Sequence, residues 1–269
     1  MGEIQMNAIP VDFTERIVAD SRTHTGKVRP HNEDAVGFFP EEGCFFVADG
    51  MGGGSAGDVA SSFLENELTD AIEQDGSASS DRREAVVRNA IHRTHMKIRD
   101  YAESNRFDQM GTTLALMMLD PQDAHAASVC HVGDSRIYLL RDGALTALTM
   151  DHTVGAELER ENKSSMKNMD WMDHRTSRFS HMLTRVIGGT DEPEAEWNRI
   201  AVRPSDRFLI CSDGVTTMLS ESVISDILSG SEHPSDAVRS ISDAVMDAGA
   251  RDNFSMVVVF VREYNPEKQ

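Results

Sequence analysis

The chain has 269 residues, which is long for a single domain and short for two complete ones. Its formal net charge is −19, because 45 Asp and Glu outnumber 26 Lys and Arg, so we expect neither nucleic acid nor a membrane surface as a partner. We find no apolar run near the ~20 residues of a membrane span and no secretory signal, and an odd set of three cysteines argues against a disulfide framework and favours a reducing cytoplasm.

The chain shows no internal repeat, low-complexity tract or long linker rich in Pro, Gly or Ser. We therefore expect residues 16–262 to form one domain, with loose termini at 1–15 and 263–269.

The first half is predicted to form a β-hairpin followed by two helices. Apolar, β-favouring segments at 36–39 and 44–48 flank the turn sequence PEEG. Apolar residues then recur at three- and four-residue spacing over 57–74 and again over 81–104, which predicts two amphipathic helices. Ser80 or Asp81 is expected to cap the second helix.

The second half is richer in strands. The predicted strands lie at 112–119, 126–132, 137–140, 208–212 and 254–261, and short helices are predicted near 222–228 and 235–248. Because helices are grouped between strand-rich blocks and do not alternate with single strands, we predict an α+β fold with antiparallel sheets. The polar, Met-rich segment near 154–182 is predicted to form a short helix and a flap.

Four aspartates lie beside apolar strands. Asp49 and Asp213 each follow such a strand and precede Gly, Asp134 follows the strand ending in HVG, and Asp252 precedes the last strand. Strands of this kind are usually interior, so they would carry the carboxylates to the rim of the core. Unpaired carboxylates that leave water together are costly and repel one another.

Two interpretations of these aspartates stay open at this point. Asp-Gly is a common turn dipeptide, so each aspartate could simply belong to a separate turn. Alternatively, a multivalent cation lies among the four carboxylates. All the candidate ligands are oxygen atoms, which suits Mg²⁺ or Mn²⁺ better than zinc or copper.

Two loops add to the second interpretation. The Gly-rich segment DGMGGGSAG at 49–57 allows the backbone to approach an ion or oxyanion, and it lacks the pattern of a nucleotide-binding loop. The segment GKVRPHNED at 26–34 contains Arg29, whose planar guanidinium matches two phosphate oxygens, followed by Glu33 and Asp34. Taken alone, this second segment would be interpreted as a solvated charged loop.

Taken together, these segments resemble the metal-dependent Ser/Thr protein phosphatases of type 2C, the PPM family, in their bacterial form. The resemblance extends from about residue 23 to residue 261, and its motifs occur in the family's order. They are GKVRPHNED (26–34), FVADGMGGGSAGDVAS (46–61), MGTTLAL (110–116), HVGDSRIYLL (131–140), LTMDHT (148–153), LTRVIGG (183–189), CSDGV (211–215) and RDNFSMVVV (251–259).

The resemblance implies a four-layer α-β-β-α sandwich, in which two antiparallel sheets are flanked by helices and the metal site lies between the sheets. It also implies two Mn²⁺ or Mg²⁺ ions, with a third, weaker ion in bacterial members. By position, Asp49 would bridge the two ions, Gly50 would bind one through its carbonyl, and Asp213 and Asp252 would each hold one. Asp134 matches the position linked to the third ion.

The same resemblance implies the reaction. Arg29 would bind the substrate phosphate, while Glu33 and Asp34 would contact metal-bound water. A hydroxide bridging the ions would attack phosphoserine or phosphothreonine directly, without a phospho-enzyme. The implied partners are phosphorylated proteins and a bacterial Ser/Thr kinase that the enzyme opposes, and we expect a cytoplasmic monomer.

One position departs from many eukaryotic members. Met51 stands where those proteins carry a histidine proposed as the general acid. His31 and His152 lie within matched motifs and are considered as alternative proton donors. A pseudophosphatase that binds phosphoproteins without hydrolysis is a competing function, although such proteins usually lack metal-site carboxylates, and none is missing here.

Overall fold

The structure is a computed structural model, and it describes residues 13–52, 56–75, 79–123, 125–164 and 182–262. Most of the expected loose termini lie outside the described residues, and so does most of the expected flap. The described start of the flap segment is helical, as predicted.

The described residues contain eleven strands and seven helices. The strands are β1 Ile17–His24, β2 Asp34–Phe39, β3 Cys44–Gly52, β4 Met110–Thr112, β5 Leu114–Leu119, β6 Ala126–Val132, β7 Arg136–Arg141, β8 Ala144–Ala147, β9 Glu196–Ala201, β10 Arg207–Cys211 and β11 Phe254–Val261. The helices are α1 Phe13–Arg16, α2 Ala56–Asp75, α3 Ser80–Asn105, α4 Val154–Ser164, α5 Asp213–Thr216, α6 Glu221–Gly230 and α7 Pro234–Asp247.

The strands form two antiparallel sheets. One sheet has the order β1-β11-β10-β7-β8, and the other has the order β2-β3-β5-β6-β9, with β4 paired to the end of β3. Every pairing in both sheets is antiparallel, as predicted from the grouping of helices and strands.

Alternate side chains of the inner strands point to opposite faces of the sheet and enter different cores. In β3, Phe45 and Val47 enter the core between the two sheets, whereas Phe46 and Ala48 enter the core beneath α2 and α3. A third core lies between the first sheet and helices α6 and α7. The predicted four-layer α-β-β-α sandwich is therefore confirmed. Among the described helices, none is both long enough and apolar enough to cross a membrane.

The predicted PEEG hairpin turn is present, and a second tight hairpin follows between β7 and β8. The PEEG turn joins β2 to β3, and its Gly43 has a φ of +61°, a conformation that glycine adopts without strain. Asp142 and Gly143, between β7 and β8, have φ values of +52° and +77°, as expected for the primed turn of a tight hairpin.

Several local predictions need correction. Ser79 is the N-cap residue of α3, one position before the predicted cap, and its side chain makes no capping hydrogen bond. The predicted strand 112–119 is divided at Thr113, which lies opposite Asp49 in the common register of β4 and β5 with β3. Phe13, placed in the loose N-terminus by the sequence, is buried in the core between the sheets.

Strands β1, β8 and β9 did not stand out in the sequence. The burial of β9 shows why, because its residues are half-buried or exposed and its sequence EWNRIA has little apolar alternation. Its place in the sheet comes from pairing with the buried strand β6.

The packing between the sheets gives a first test. Phe208 is fully buried there, so Phe208→Ala should lower the free energy of unfolding by about 3–5 kcal/mol. Phe38, with 37% of its surface exposed, is the matched control, and Phe38→Ala should cost clearly less. Urea unfolding followed by circular dichroism measures both values. Equal losses in the two variants would contradict this assignment of the core.

Candidate metal centre

The carboxylates singled out in the sequence come together at one edge of the sandwich. Asp34 and Asp49 are directly paired across β2 and β3. In the other sheet, Asp213 follows β10 and Asp252 precedes β11. Because β10 and β11 are antiparallel neighbours, the end of one lies beside the start of the other, and both residues lie at the same end of that sheet. The two sheets thus bring four carboxylates to the opening between them.

Asp49 lies at the centre of this group. Burial raises the pKa of its carboxyl group well above the usual range, and the negative charges of Asp34, Asp213, Asp134 and Asp252 raise it further. In this surrounding the ionised form of Asp49 needs positive charge nearby. The residues around it therefore favour a bound cation over four independent turns.

Asp34 has an oxygen atom without a partner. Its Oδ2 accepts a hydrogen bond of 2.9 Å from the Ser212 hydroxyl, but its Oδ1 is buried and makes no hydrogen bond within the described structure. Burial raises the pKa of Asp34 to about 7, although hydrogen bonds from Ser255 and Ser212 lower it. A buried acceptor without a donor is costly, so Oδ1 is suited to contact an ion or its water shell.

Asp134 lies just after β6, on the same side of the sandwich. Burial raises its pKa to about 7, and the charges of Asp213 and Asp151 contribute to the rise. Its neighbour Ser135 places its hydroxyl 2.7 Å from that of Thr113, and the Thr113 hydroxyl also accepts the Asp49 N–H at 2.9 Å. Thr113 therefore connects the strand of Asp49 to the loop of Asp134.

Gly50 fits this site because it lacks a side chain. A Cβ atom at this position would lie 2.0 Å from the carbonyl oxygen of Gly57 and 2.6 Å from that of Glu33. The Gly50 N–H donates to the same Glu33 oxygen at 3.1 Å. The backbone of the Gly-rich loop thus packs against the segment that carries Glu33.

Asn253 holds the basic loop in place. Its Oδ1 accepts the Glu33 N–H at 2.9 Å, and its Nδ2 donates to the carbonyl oxygens of Thr25 and His31 at 2.8 and 2.9 Å. These bonds connect residues more than 200 positions apart, so sequence patterns gave no signal for this role. They fix the segment of residues 25–33 beside the carboxylates.

Arg29 supplies a positive charge at the site. Its Nη2 atom donates to Asp252 Oδ2 at 2.6 Å, and this hydrogen bond raises the pKa of the guanidinium above its usual value. The Arg29 side chain is 49% exposed, so it can also reach solvent or a ligand. Burial raises the pKa of the neighbouring Glu33, while the charge of Arg29 lowers it.

The donor atoms suit hard cations that keep part of their water shell. No three of these carboxylates bring ligand atoms within 4.8 Å of one another in the part of the chain that the structure describes. A single ion enclosed by many protein ligands is therefore not indicated. Mg²⁺ commonly binds through one or two carboxylates and water, and Mn²⁺ shares the preference for oxygen, so the donors fit either ion.

A second group of titratable side chains lies outside the described lining of the cleft. His131, His152 and Glu196 have candidate ligand atoms within 4.8 Å of one another. The two imidazole rings are stacked, with centroids 4.4 Å apart and planes 19° apart. Because each ring nitrogen directs its lone pair within its own ring plane, stacked rings do not converge on one ion. This group is therefore a packed pair of histidines with an acidic neighbour.

Neither histidine considered as a proton donor lines the cleft above the carboxylates in the described structure. His152 is buried, and its Nδ1 accepts the Gly133 N–H at 3.1 Å. Burial is the main cause that lowers the pKa of His152 to about 4, and the positive charges of His131 and Arg185 lower it further. His152 is therefore uncharged near neutral pH, and because neither histidine is among the described residues that line the cleft, the structure gives no support to either as a proton donor.

Asp49, Asp134, Asp213 and Asp252 line a cleft of about 1170 Å³, whereas the buried Asp34 is not part of its described lining. Its described walls come from the Gly-rich loop, the second half of α3 and residues 182–190. No Cys, His, Ser or Lys is among the described residues that line it. The three cysteines are buried elsewhere as free thiols, as predicted, and burial raises the pKa of Cys44 and Cys211 to about 12.

Comparisons with known proteins agree with this geometry. Residues 22–247 match the family Protein phosphatase 2C. The serine/threonine phosphatase stp of Listeria monocytogenes is 34% identical over 247 residues, which cover 90% of this chain and 94% of that protein.

Solved structures show the same similarity. PppA, a key regulatory component of T6SS in Pseudomonas aeruginosa, is 32% identical with a TM-score of 0.80, over 91% of this chain and 97% of that one. The catalytic domain of PstP, solved with two manganese ions, is 28% identical with a TM-score of 0.75, over 92% of this chain and 99% of that one. The chain belongs to the protein phosphatase 2C family and is a metal-dependent Ser/Thr protein phosphatase of the bacterial type.

Proposed function

We propose that the chain hydrolyses phosphoserine and phosphothreonine on proteins with two divalent cations, Mn²⁺ or Mg²⁺, held around Asp49. The observation that carries this proposal is the desolvated Asp49 carboxylate among four others, with Arg29 as the nearby cation. Asp49 would contact both ions, Gly50 would offer its carbonyl oxygen, and Asp213 and Asp252 would complete the protein ligands. The two manganese ions in the PstP structure support the choice of metal.

Asp134 is proposed to take part in a third, weaker cation site together with Asp213. The charge of Asp213 raises the pKa of Asp134, which places the two carboxylates close enough to influence each other. A cation here would relieve the same repulsion without replacing the ions at Asp49.

When bound, such cations supply positive charge for the phosphoryl oxygens and make water acidic enough to provide the nucleophile. The described residues that line the cleft offer no Cys, His or Ser as an alternative nucleophile. The raised pKa values of Cys44 and Cys211 keep those thiols protonated. Direct attack by water-derived hydroxide, without a phospho-enzyme, is therefore the proposed mechanism.

Arg29 is proposed to bind the substrate phosphate through its planar guanidinium. In this structure the guanidinium contacts Asp252, so phosphate binding requires it to share or exchange that partner. Glu33 and Asp34 are proposed to accept hydrogen bonds from water at the site, since Asp34 keeps a buried Oδ1 without a donor. With Met51 after Gly50, the described cleft has no imidazole to protonate the leaving oxygen, and solvent is the remaining donor.

The natural substrates are proposed to be proteins phosphorylated by a bacterial Ser/Thr kinase that this enzyme opposes. The relatives are named serine/threonine phosphatases, which supports phosphoproteins as the substrate class. The charge of −19 argues against nucleic acid as a partner, and three free, buried thiols are compatible with work in the cytoplasm. A monomer is the proposed active unit.

Catalysis gives a direct test of this function. With Mn²⁺, the protein should release phosphate from a phosphothreonine peptide, and EDTA should stop the release. Asp213→Asn should lower kcat/KM by about 100-fold or more, because it removes a proposed ligand of the ions. Asp226→Asn, at an exposed position of α6, is the matched control and should leave turnover unchanged. Phosphopeptide binding without hydrolysis would instead indicate a pseudophosphatase.

Thermal stability gives an independent test of the cations. Saturating Mn²⁺ should raise the Tm of the wild-type protein by about 5 °C or more, since the ions bind only the folded chain. Asp49→Asn should be at least as stable as wild type in EDTA, because it removes a charge that burial disfavours, and it should lose most of the gain in Mn²⁺.

The exposed Asp70→Asn on α2 is the control for this stability test and should keep the full gain. Differential scanning fluorimetry measures all three proteins with and without the metal. An equal gain from Mn²⁺ in the Asp49→Asn protein would contradict the placement of the ions.

A further inference from the structure

One face of α3 forms a wall of the catalytic cleft. Met96, Arg99, Asp100 and Glu103, with Phe107 just beyond the helix, all line the cleft and recur at three- or four-residue spacing. The opposite face of α3 is buried in the core beneath the sheet. The outward face therefore adjoins the space that also contains the carboxylates.

Hydrogen bonds fix this wall relative to the other side of the cleft. Arg99 Nη1 donates to the carbonyl oxygen of Thr190, and the Gly188 N–H donates to His95 Nδ1 at 3.1 Å. A Cβ atom on Gly188 would lie 2.4 Å from the side chain of Ile98, so α3 and residues 182–190 pack closely. The outward face of α3 is thus held in place and does not depend on a ligand for its position.

The described residues leave the negative charges on this wall without partners. Asp100 and Glu103 on α3, and Asp108 after it, are exposed, and none of them makes a hydrogen bond or ion pair through its side chain within the described structure. Against these three carboxylates the described wall has one cation, Arg99, whose guanidinium donates to the neutral carbonyl oxygen of Thr190. Earlier on α3, by contrast, Arg93 and Lys97 both pair with Glu67.

Apolar surface lies beside these carboxylates. Met96 and Met182 line the cleft and expose 46% and 53% of their surfaces. Methionine side chains adapt to ligands of different shape. A lysine or arginine side chain combines an apolar stem with a charged head, so it matches a surface where methionine adjoins carboxylate.

We propose that the outward face of α3 is a substrate subsite that receives a basic side chain next to the phosphorylated residue. This inference rests on the proposed function, because the phosphate must lie at Arg29 for a peptide to extend along the same cleft to α3. Asp100 and Glu103 supply the charge complementarity, and Met96 contacts the stem. The enzyme should therefore prefer phosphopeptides with Lys or Arg close to the phosphorylated position and disfavour acidic ones.

The test compares two phosphothreonine peptides that differ only in having Arg or Ala at the positions flanking the phosphothreonine. The measured quantity is the ratio of kcat/KM for the Arg peptide to that for the Ala peptide, with Mn²⁺ present. The wild-type ratio should be about 10, mostly through KM, and Asp100→Asn/Glu103→Gln should lower it about fivefold. Exposed charges are screened by salt, so the wild-type ratio should also decrease when the NaCl concentration is raised about tenfold, from about 50 to about 500 mM.

A double substitution elsewhere provides the matched control. Asp70→Asn/Glu73→Gln removes the same two charges at the same spacing from the exposed face of α2, outside the cleft, and should keep the wild-type ratio. A wild-type ratio near one, or an equal fall of the ratio in both double variants, would overturn the subsite.

Hydrolysis of p-nitrophenyl phosphate by the wild-type protein separates the two proposals. This small substrate carries no peptide to reach α3, so its turnover with Mn²⁺ tests the proposed function alone. Turnover of p-nitrophenyl phosphate without any preference between the peptides would refute the subsite and leave the phosphatase function standing. Absence of turnover on all three substrates would refute both.

Discussion

The main electrostatic constraint on this structure is the repulsion among carboxylates, which two different sheets bring to one opening. Asp34 and Asp49 come from one sheet, while Asp213 and Asp252 come from the ends of neighbouring strands in the other. Burial and mutual charge raise the pKa of Asp49 well above the usual range, and Arg29 balances only part of the negative charge. Such an arrangement is unfavourable for the empty protein, and it becomes favourable when divalent cations enter. The same negative charge that opposes folding would thus attract the proposed metal ions.

Small polar side chains keep the carboxylates in position. Ser212 bonds to Asp34 and also accepts the Ser255 N–H at 3.0 Å, so one hydroxyl connects the two sheets. The Thr113 hydroxyl connects the backbone of Asp49 to Ser135 in the loop of Asp134. Asn253 binds the loop that carries Arg29 and Glu33. Ser212 contacts a carboxylate oxygen, whereas Thr113 and Asn253 bind backbone groups of acidic residues and also line the cleft. They explain how a cluster of like charges can keep a defined geometry within an otherwise apolar core.

Much of the fold and of the site follows from local sequence patterns. The spacing of apolar residues predicted α2, α3 and the buried strands, and the family resemblance carried by the short motifs implied that Asp49, Asp213 and Asp252 belong to one centre. The roles of Thr113, Ser212 and Asn253 could not be predicted, because they arise only when segments far apart in the chain pair. The burial of His152 against Gly133 and His131 could not be predicted either, since it is set by tertiary packing. Strand β9 was missed because its pairing with β6, and not its own pattern, determines its conformation.

The most direct measurement is X-ray diffraction from crystals grown in Mn²⁺, with data collected at the manganese absorption edge. If the carboxylate repulsion is relieved by metal, anomalous difference maps should show two strong peaks beside the Asp49 carboxylate, one of them next to the Gly50 carbonyl oxygen, and both should be lost in Asp49→Asn crystals. Maps without manganese at Asp49, or peaks that persist unchanged in the variant, would show that these aspartates do not assemble a metal centre.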